Sequence, residues 1–200
     1  VTVIEPSLSS PLSREATAGL APQFVNRWSS RAFSDAPVSE QELQLLFEAA
    51  RWAPSSGNGQ PWMFIYADQE PDLTRFRALL KDGNQRWAGR APVLAFAFAA
   101  KLRDGQPISS ALLDLGAAWM SLALQAHVLG LNTRAMGGVH RDRIYEELGV
   151  PEGEYQFGCA IAIGRPGQTE ELPEDLRERN RPNERKPTSQ FVLKGGFRRG

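Results

Sequence analysis

Apolar residues recur along this chain in two rhythms, each predicting a different kind of element. From Ser39 to Trp52, the positions Leu43, Leu46, Phe47, Ala50 and Arg51 follow the i, i+3, i+4 spacing of an amphipathic helix, and Ser39-x-x-Glu42 opens it as a capping box. Trp62 to Ala67 and Val93 to Ala100 are instead unbroken apolar runs, and Tyr155 to Ile163 is apolar from Phe157 onward. Pro92 and Lys101 bound the second and Gly164-Arg165-Pro166 closes the third, so these predict buried strands. Ser109 to Leu129 is the longest helical pattern. One apolar line runs through Ile108, Leu112, Leu115, Trp119, Leu122, Ala126 and Leu129, and a second through Leu113, Ala117, Met120, Leu124 and Val128. A helix apolar on more than one side needs cover on more than one side, from a central position in the fold or from a symmetry mate. Asp114, Ser121 and Gln125 interrupt that surface, which suits a subunit contact better than a dry core.

Weaker patterns predict helices over Ser13–Arg27, with Ser13 as N-cap, over Asp72–Leu80, stopping near Gly83, and over Arg141–Leu148, ended by Gly149 and Pro151. Residues 1–12, rich in Ser and Pro, read as a flexible segment. Residues 13–200 read as one domain with a polar C-terminal arm from about residue 167. Phe191, Val192, Leu193 and Phe197 recur near the end of that arm, as if it were held on a surface.

Composition narrows the function classes. Lys+Arg and Asp+Glu both total 23, so a zero net charge gives no support for nucleic-acid or acidic-membrane binding. The single cysteine, Cys159, lies in an apolar run and reads as a small buried hydrophobe; with only two histidines, a Cys/His metal site is not expected. No stretch approaches an uninterrupted transmembrane helix and no signal segment is visible, so cytoplasm is the expected location. The chain has no Gly-x-Gly-x-x-Gly after a strand, no Walker motif and no evident Ser-His-Asp set. It thus lacks acid–base or nucleophilic machinery of its own, which agrees with chemistry carried by a cofactor.

Two segments carry candidate ligand chemistry. Ala53-Pro54-Ser55-Ser56-Gly57-Asn58-Gly59-Gln60-Pro61-Trp62 is a tight connector whose hydroxyls and amides suit a flat polar heterocycle, or form a polar helix-to-strand turn and nothing more. Arg27-Trp28-Ser29-Ser30-Arg31-Ala32-Phe33 spaces two guanidinium forks and their hydroxyls to suit a phosphate monoester, or a solvated helix end.

Together, R-x-S-x-R-x-F followed by A-P-S-S-x-N-x-Q-P-W resembles the FMN-dependent nitroreductase family. Asn84-Gln85-Arg86-Trp87, Asp114-Leu115-Gly116-Ala117-Ala118, Met136-Gly137-Gly138 and Ile163-Gly164-Arg165-Pro166 continue the resemblance from about Phe24 to Phe191. It implies an α+β fold with a mainly antiparallel central sheet flanked by helices, as an intertwined homodimer with FMN at the interface. It implies two-electron transfer from NAD(P)H to nitroaromatics, quinones or similar small aromatic acceptors in ping-pong order, with the chemistry on flavin N5 and no catalytic side chain. By the same resemblance, Arg27, Ser29, Arg31 and Arg185 match the phosphate and ribityl site. Pro54, Ser55, Ser56 and Asn58 match a loop reaching the flavin from the second subunit. Asn84 matches an amide on the isoalloxazine edge, and Met136, Gly137 and Gly138 match a turn whose N–H groups face N5 and O4.

Two positions depart from the pattern. Members typified by the enteric nitroreductases carry Glu where Gly137 stands and Lys where Trp87 stands, which opens the acceptor preference. Two alternatives stay open on the sequence: a same-fold reductase of another acceptor (dehalogenation, enone or semialdehyde reduction), and a non-catalytic flavin-binding protein.

Overall fold

The computed structural model describes residue 14 and residues 17–197. The expected flexible segment 1–12 and the expected N-cap at Ser13 lie outside the described residues. In chain order the principal elements are α1 (Pro22–Asn26), α2 (Glu40–Arg51), β1 (Trp62–Ala67), α3 (Asp72–Ala78), α4 (Asp82–Ala88), β2 (Val93–Ala100), β3 (Leu102–Arg103), β4 (Gln106–Pro107), α5 (Ala111–Val128), β5 (Asn132–Met136), α6 (Ile144–Glu147), β6 (Tyr155–Gly164) and α7 (Glu174–Arg177).

Four strands form one sheet in the order β1-β2-β6-β5, every pair antiparallel. The central strands are apolar on both faces because both faces are covered. Leu94, Phe96 and Phe98 of β2 point with Phe157, Ala160 and Ala162 of β6 toward α3, α4 and α6. Val93, Ala95, Ala97 and Ala99 point with Ile161 and Ile163 toward α2 and α5. Small residues on that second face let α5 lie close. Leu115 of α5 reaches the register shift between β2 and β6, where a Cβ on Gly158 would stand 2.4 Å from Leu115 Cδ2. The α2 capping box is complete: the Ser39 hydroxyl accepts from Glu42 N–H at 3.2 Å, and Glu42 accepts from Ser39 N–H at 2.9 Å.

Three predicted elements change in ways that matter for the site. The first helix is only α1, because Pro22 occupies its first turn and forces Ala21 into an extended conformation. The helix from Asp72 ends at Ala78 rather than near Gly83. Leu80 leaves it to bridge Val139, Lys81 N–H donates to Gly138 O at 3.0 Å, and a second helix, α4, starts at Asp82 and runs through Gly83. The helix predicted over Arg141–Leu148 shrinks to α6.

In α5 the inward face is built from Ala111, Leu115, Ala118, Leu122, Ala123 and Ala126. Small residues set the face that lies on the sheet, so Leu112 turns outward despite standing in the larger-residue line, and Leu113 is 77% exposed. Asp114 is not an interruption on an open surface: it is buried, accepting from Ser56 N–H at 3.3 Å and Ser110 Oγ–H at 2.9 Å. With 18 residues and a mean hydropathy of 1.2, α5 has the length and composition of a bilayer-spanning segment, contrary to the expectation that no stretch comes close. Here it packs on the sheet and on α2.

After β6 the chain is pinned to the R-x-S-x-R segment. Phe33 bridges Pro166, Ser34 N–H donates to Arg165 O and Gly167 N–H donates to Ala32 O. A Cβ on Gly167 would meet the Phe33 carbonyl carbon at 2.4 Å, so this approach requires glycine. Asn180 is buried and completes the anchor: its Oδ1 accepts from Arg31 N–H at 2.7 Å and its Nδ2 donates to Thr169 Oγ1 at 3.0 Å. Farther along the arm, Phe191, Val192, Leu193 and Phe197 are exposed on the single chain.

Candidate active site

Arginines from four separate segments converge on one cavity of about 860 Å³. Arg14, Arg31, Arg134, Arg179, Arg181 and Arg185 line it together with Ser29 and one carboxylate, Glu178. Arg27, the extended residue that ends α1, lies beside Arg14 and Arg185. Its guanidinium donates to Ser29 Oγ at 3.4 Å, whereas Ser30 is buried and accepts from Ala32 N–H, a structural role.

Burial foremost, then the charges of Arg185 and Arg14, hold the Arg27 pKa below the ordinary arginine range. Burial and then Arg185 do the same to Arg14, and burial and then Arg179 to Arg31. His127 on α5 is lowered by burial and by Arg27, so it is neutral beside the cluster near pH 7.

Like charges gathered this closely repel, and their usual relief is a carboxylate. Elsewhere Arg51, Arg75, Arg77, Arg86, Arg90, Arg143 and Arg165 each pair with an Asp or Glu. Among the described residues, no salt bridge engages any arginine of the cavity. The Nε atoms of Arg14 and Arg27 are buried without a hydrogen-bond partner. Such groups are costly to bury unpaired, and a multiply charged oxyanion would satisfy them.

A second set of sequence-predicted residues meets at the end of β5. The Asn84 amide, on α4, donates to Gly138 O at 2.9 Å, and a Cβ on Gly138 would stand 2.5 Å from Asn84 Nδ2. Gly137 faces open space, with nothing within 4 Å of where its Cβ would be. The Met136 side chain is buried in the core, so only its backbone is left to face a ligand.

The loop Pro54–Asn58 is not brought to these groups within one chain. It leads into β1, the sheet edge opposite β5, three strand spacings or roughly 14 Å away. Asp114 fixes the loop through Ser56, and Gly57, Asn58 and Gln60 all hold positive φ angles of 45–54°. That strain is stored in an exposed loop and presents its polar groups outward.

Sequence reasoning missed Arg134. It stands on β5, its guanidinium 5.4 Å from the centroid of the Trp87 ring and donating to Ser29 O. Burial foremost, then Arg31 and Arg179, lowers its pKa to about 10, so it stays charged at neutral pH. Cys159 packs against the α5-side core, where burial raises its thiol to about 11, as suits an inert hydrophobe.

The chain thus combines an antiparallel four-stranded α+β fold with an arginine-lined cavity to which β5, the strand leading into the glycine turn, contributes Arg134. The model of the nitroreductase family matches residues 25–165, and the chain belongs to that family. A solved structure described as an oxidoreductase containing FMN is 39% identical, with a TM-score of 0.87, covering 92% of this chain and 96% of that one. An Archaeoglobus fulgidus protein, named provisionally as an NADH dehydrogenase/NAD(P)H nitroreductase, is 29% identical over 147 residues, 72% of this chain and 83% of that protein. The Bacillus subtilis FMN reductase [NAD(P)H] is 28% identical over 158 residues, 69% of this chain but only 62% of the Bacillus protein.

Proposed function

We propose that two copies of this chain hold FMN between them and use it to carry two electrons from NAD(P)H to a flat acceptor such as a quinone or nitroaromatic. One observation carries the reading: the arginines of the cavity have no carboxylate partners among the described residues, while seven arginines elsewhere do. A phosphate monoester carries a charge of about −1.5 to −2 and supplies the missing acceptors. The 39% identity to an oxidoreductase containing FMN supports the choice of anion.

When bound, FMN supplies the two-electron chemistry, taking a hydride from NAD(P)H and returning the electrons to the acceptor. The chain's own residues bind and orient it. Arg27, Ser29, Arg31 and Arg185 hold the phosphate end. Asn84 and the backbone of Met136, Gly137 and Gly138 hold the ring, with glycine letting the backbone come close. Pro54, Ser55, Ser56 and Asn58 act on the site of the partner copy, since their own chain keeps them at the far sheet edge. The exposed line of α5 and the apolar end of the arm are the surfaces that a partner would cover.

The reading is tested by following NAD(P)H oxidation with flavin-loaded protein, with and without an added quinone or nitroaromatic. Oxidation that rises with acceptor concentration is expected. A flavin-loaded protein that oxidises neither NADH nor NADPH with any of these acceptors would be a flavin binder, and the enzymatic reading would fall.

A further inference from the structure

The cavity's arginines fall into two groups by which neighbours they repel. After burial, Arg185 lowers the pKa of Arg14 and of Arg27, while Arg31 and Arg179 lower that of Arg134. The first group, with the buried and unpartnered Nε atoms of Arg14 and Arg27, suits the phosphate. Of the others, Arg134 itself lies toward the ring end. Arg134 is two residues before Met136 on β5, and it covers Trp87, one helical turn after Asn84 on α4. It also donates to Ser29 O, so it spans the interval between the phosphate motif and the Asn84–Gly138 contact. In FMN that interval is the ribityl chain and its junction with the ring, and the polar ring atoms adjoining the junction are N1 and the C2 carbonyl. Trp87 offers them no charge; the guanidinium above it does.

We propose that Arg134 is the cation facing the N1–C2 carbonyl edge of the bound flavin, where it favours the two-electron-reduced form and so sets the cofactor's potential. The inference rests on the FMN reading. Two-electron reduction leaves extra negative charge on that edge, and a guanidinium half out of water with no salt bridge among the described residues acts on that charge strongly. A contact to the phosphate or ribityl chain would instead stabilise oxidised and reduced flavin alike.

The test is the midpoint potential of bound FMN in the wild-type holoenzyme, Arg134→Gln, Arg134→Lys and Arg185→Ala. Arg134→Gln should weaken binding of reduced FMN about tenfold more than that of oxidised FMN, which is a fall of about 30 mV for a two-electron couple. Arg134→Lys should restore most of the difference. Arg185→Ala should weaken both forms equally and leave the potential in place. Equal weakening of both forms in Arg134→Gln, or no weakening, overturns the proposal. If Arg134→Gln does not fold, the wild-type holoenzyme carries the test: its reduced flavin should show the spectrum of the N1-deprotonated form at a pH where free reduced FMN is protonated, and a protonated spectrum overturns the proposal. A wild-type protein that binds no FMN would dismiss the functional reading itself, a result distinct from flavin bound at an unshifted potential.

Discussion

Arg27→Ala and Arg185→Ala should each weaken FMN binding about ten- to a hundredfold, while Arg75→Ala leaves it unchanged. Each of the first two removes a hydrogen-bonded charge from the phosphate, and hydrogen bonds to charged groups are worth roughly 1.5–3 kcal/mol. Arg75 is a control of the same type in a different situation: on α3 it pairs with Asp72 at 2.9 Å and donates to Glu147 O. The apoprotein supplies a second readout. Arg14, Arg27 and Arg185 repel one another without a ligand, so removing Arg27 or Arg185 relieves repulsion and should not lower the apoprotein's melting temperature. Arg75→Ala loses its ion pair and a tie to α6 and should lower it slightly. Fluorescence titration of refolded apoprotein gives the constants, and circular dichroism confirms folding. Equal constants for all three variants would remove the phosphate clamp from the account.

Leu113→Glu should give a folded monomer with empty flavin sites, and Leu122→Glu should give protein that does not fold. The two residues sit on opposite sides of α5. Leu122 is fully buried against the sheet, where an unpaired charge costs about 3–5 kcal/mol. Leu113 is 77% exposed on the single chain, so a charge there disturbs only what a partner would cover. A two-fold interface repeats every contact, so losing one buried leucine removes it twice, about 3–6 kcal/mol in all. That is a dimer weakened roughly a hundredfold to ten-thousandfold. Light scattering and flavin absorbance read both outcomes. A Leu113→Glu protein that stays dimeric, or a monomer that keeps its flavin, would contradict a site shared between copies.

What the sequence made legible follows from how strongly each element signals its burial. The runs that became β1 and β2 are apolar throughout, β6 is apolar from Phe157 onward, and α2 carries its own capping box. Strand β5 was missed because it is short, lies at a sheet edge, and carries Asn132 and Arg134 among its few residues. Helix α4 was missed because Gly83 and four polar residues precede the two it buries, Trp87 and Ala88. These two elements carry Asn84, Trp87, Arg134 and Met136, so their loss hid how the site is assembled although several of its residues had been named. Arg134 has no local signal. A strand assignment placing it on the same side as Met136 would have been the only pointer. Arg14 and Arg179 come together with it only through the fold. In α5 the spacing of large residues pointed to a stripe through Leu112, whereas the alanines decide which face can approach an alanine-lined sheet.

The central claim is that this fold is built around FMN shared between two copies. Native mass spectrometry of the purified protein, followed by identification of the flavin released on denaturation, tests it most directly. A dimer carrying two FMN molecules is the expected result. FAD as the sole released cofactor, a protein that takes up no flavin, or a flavin-loaded monomer would contradict it.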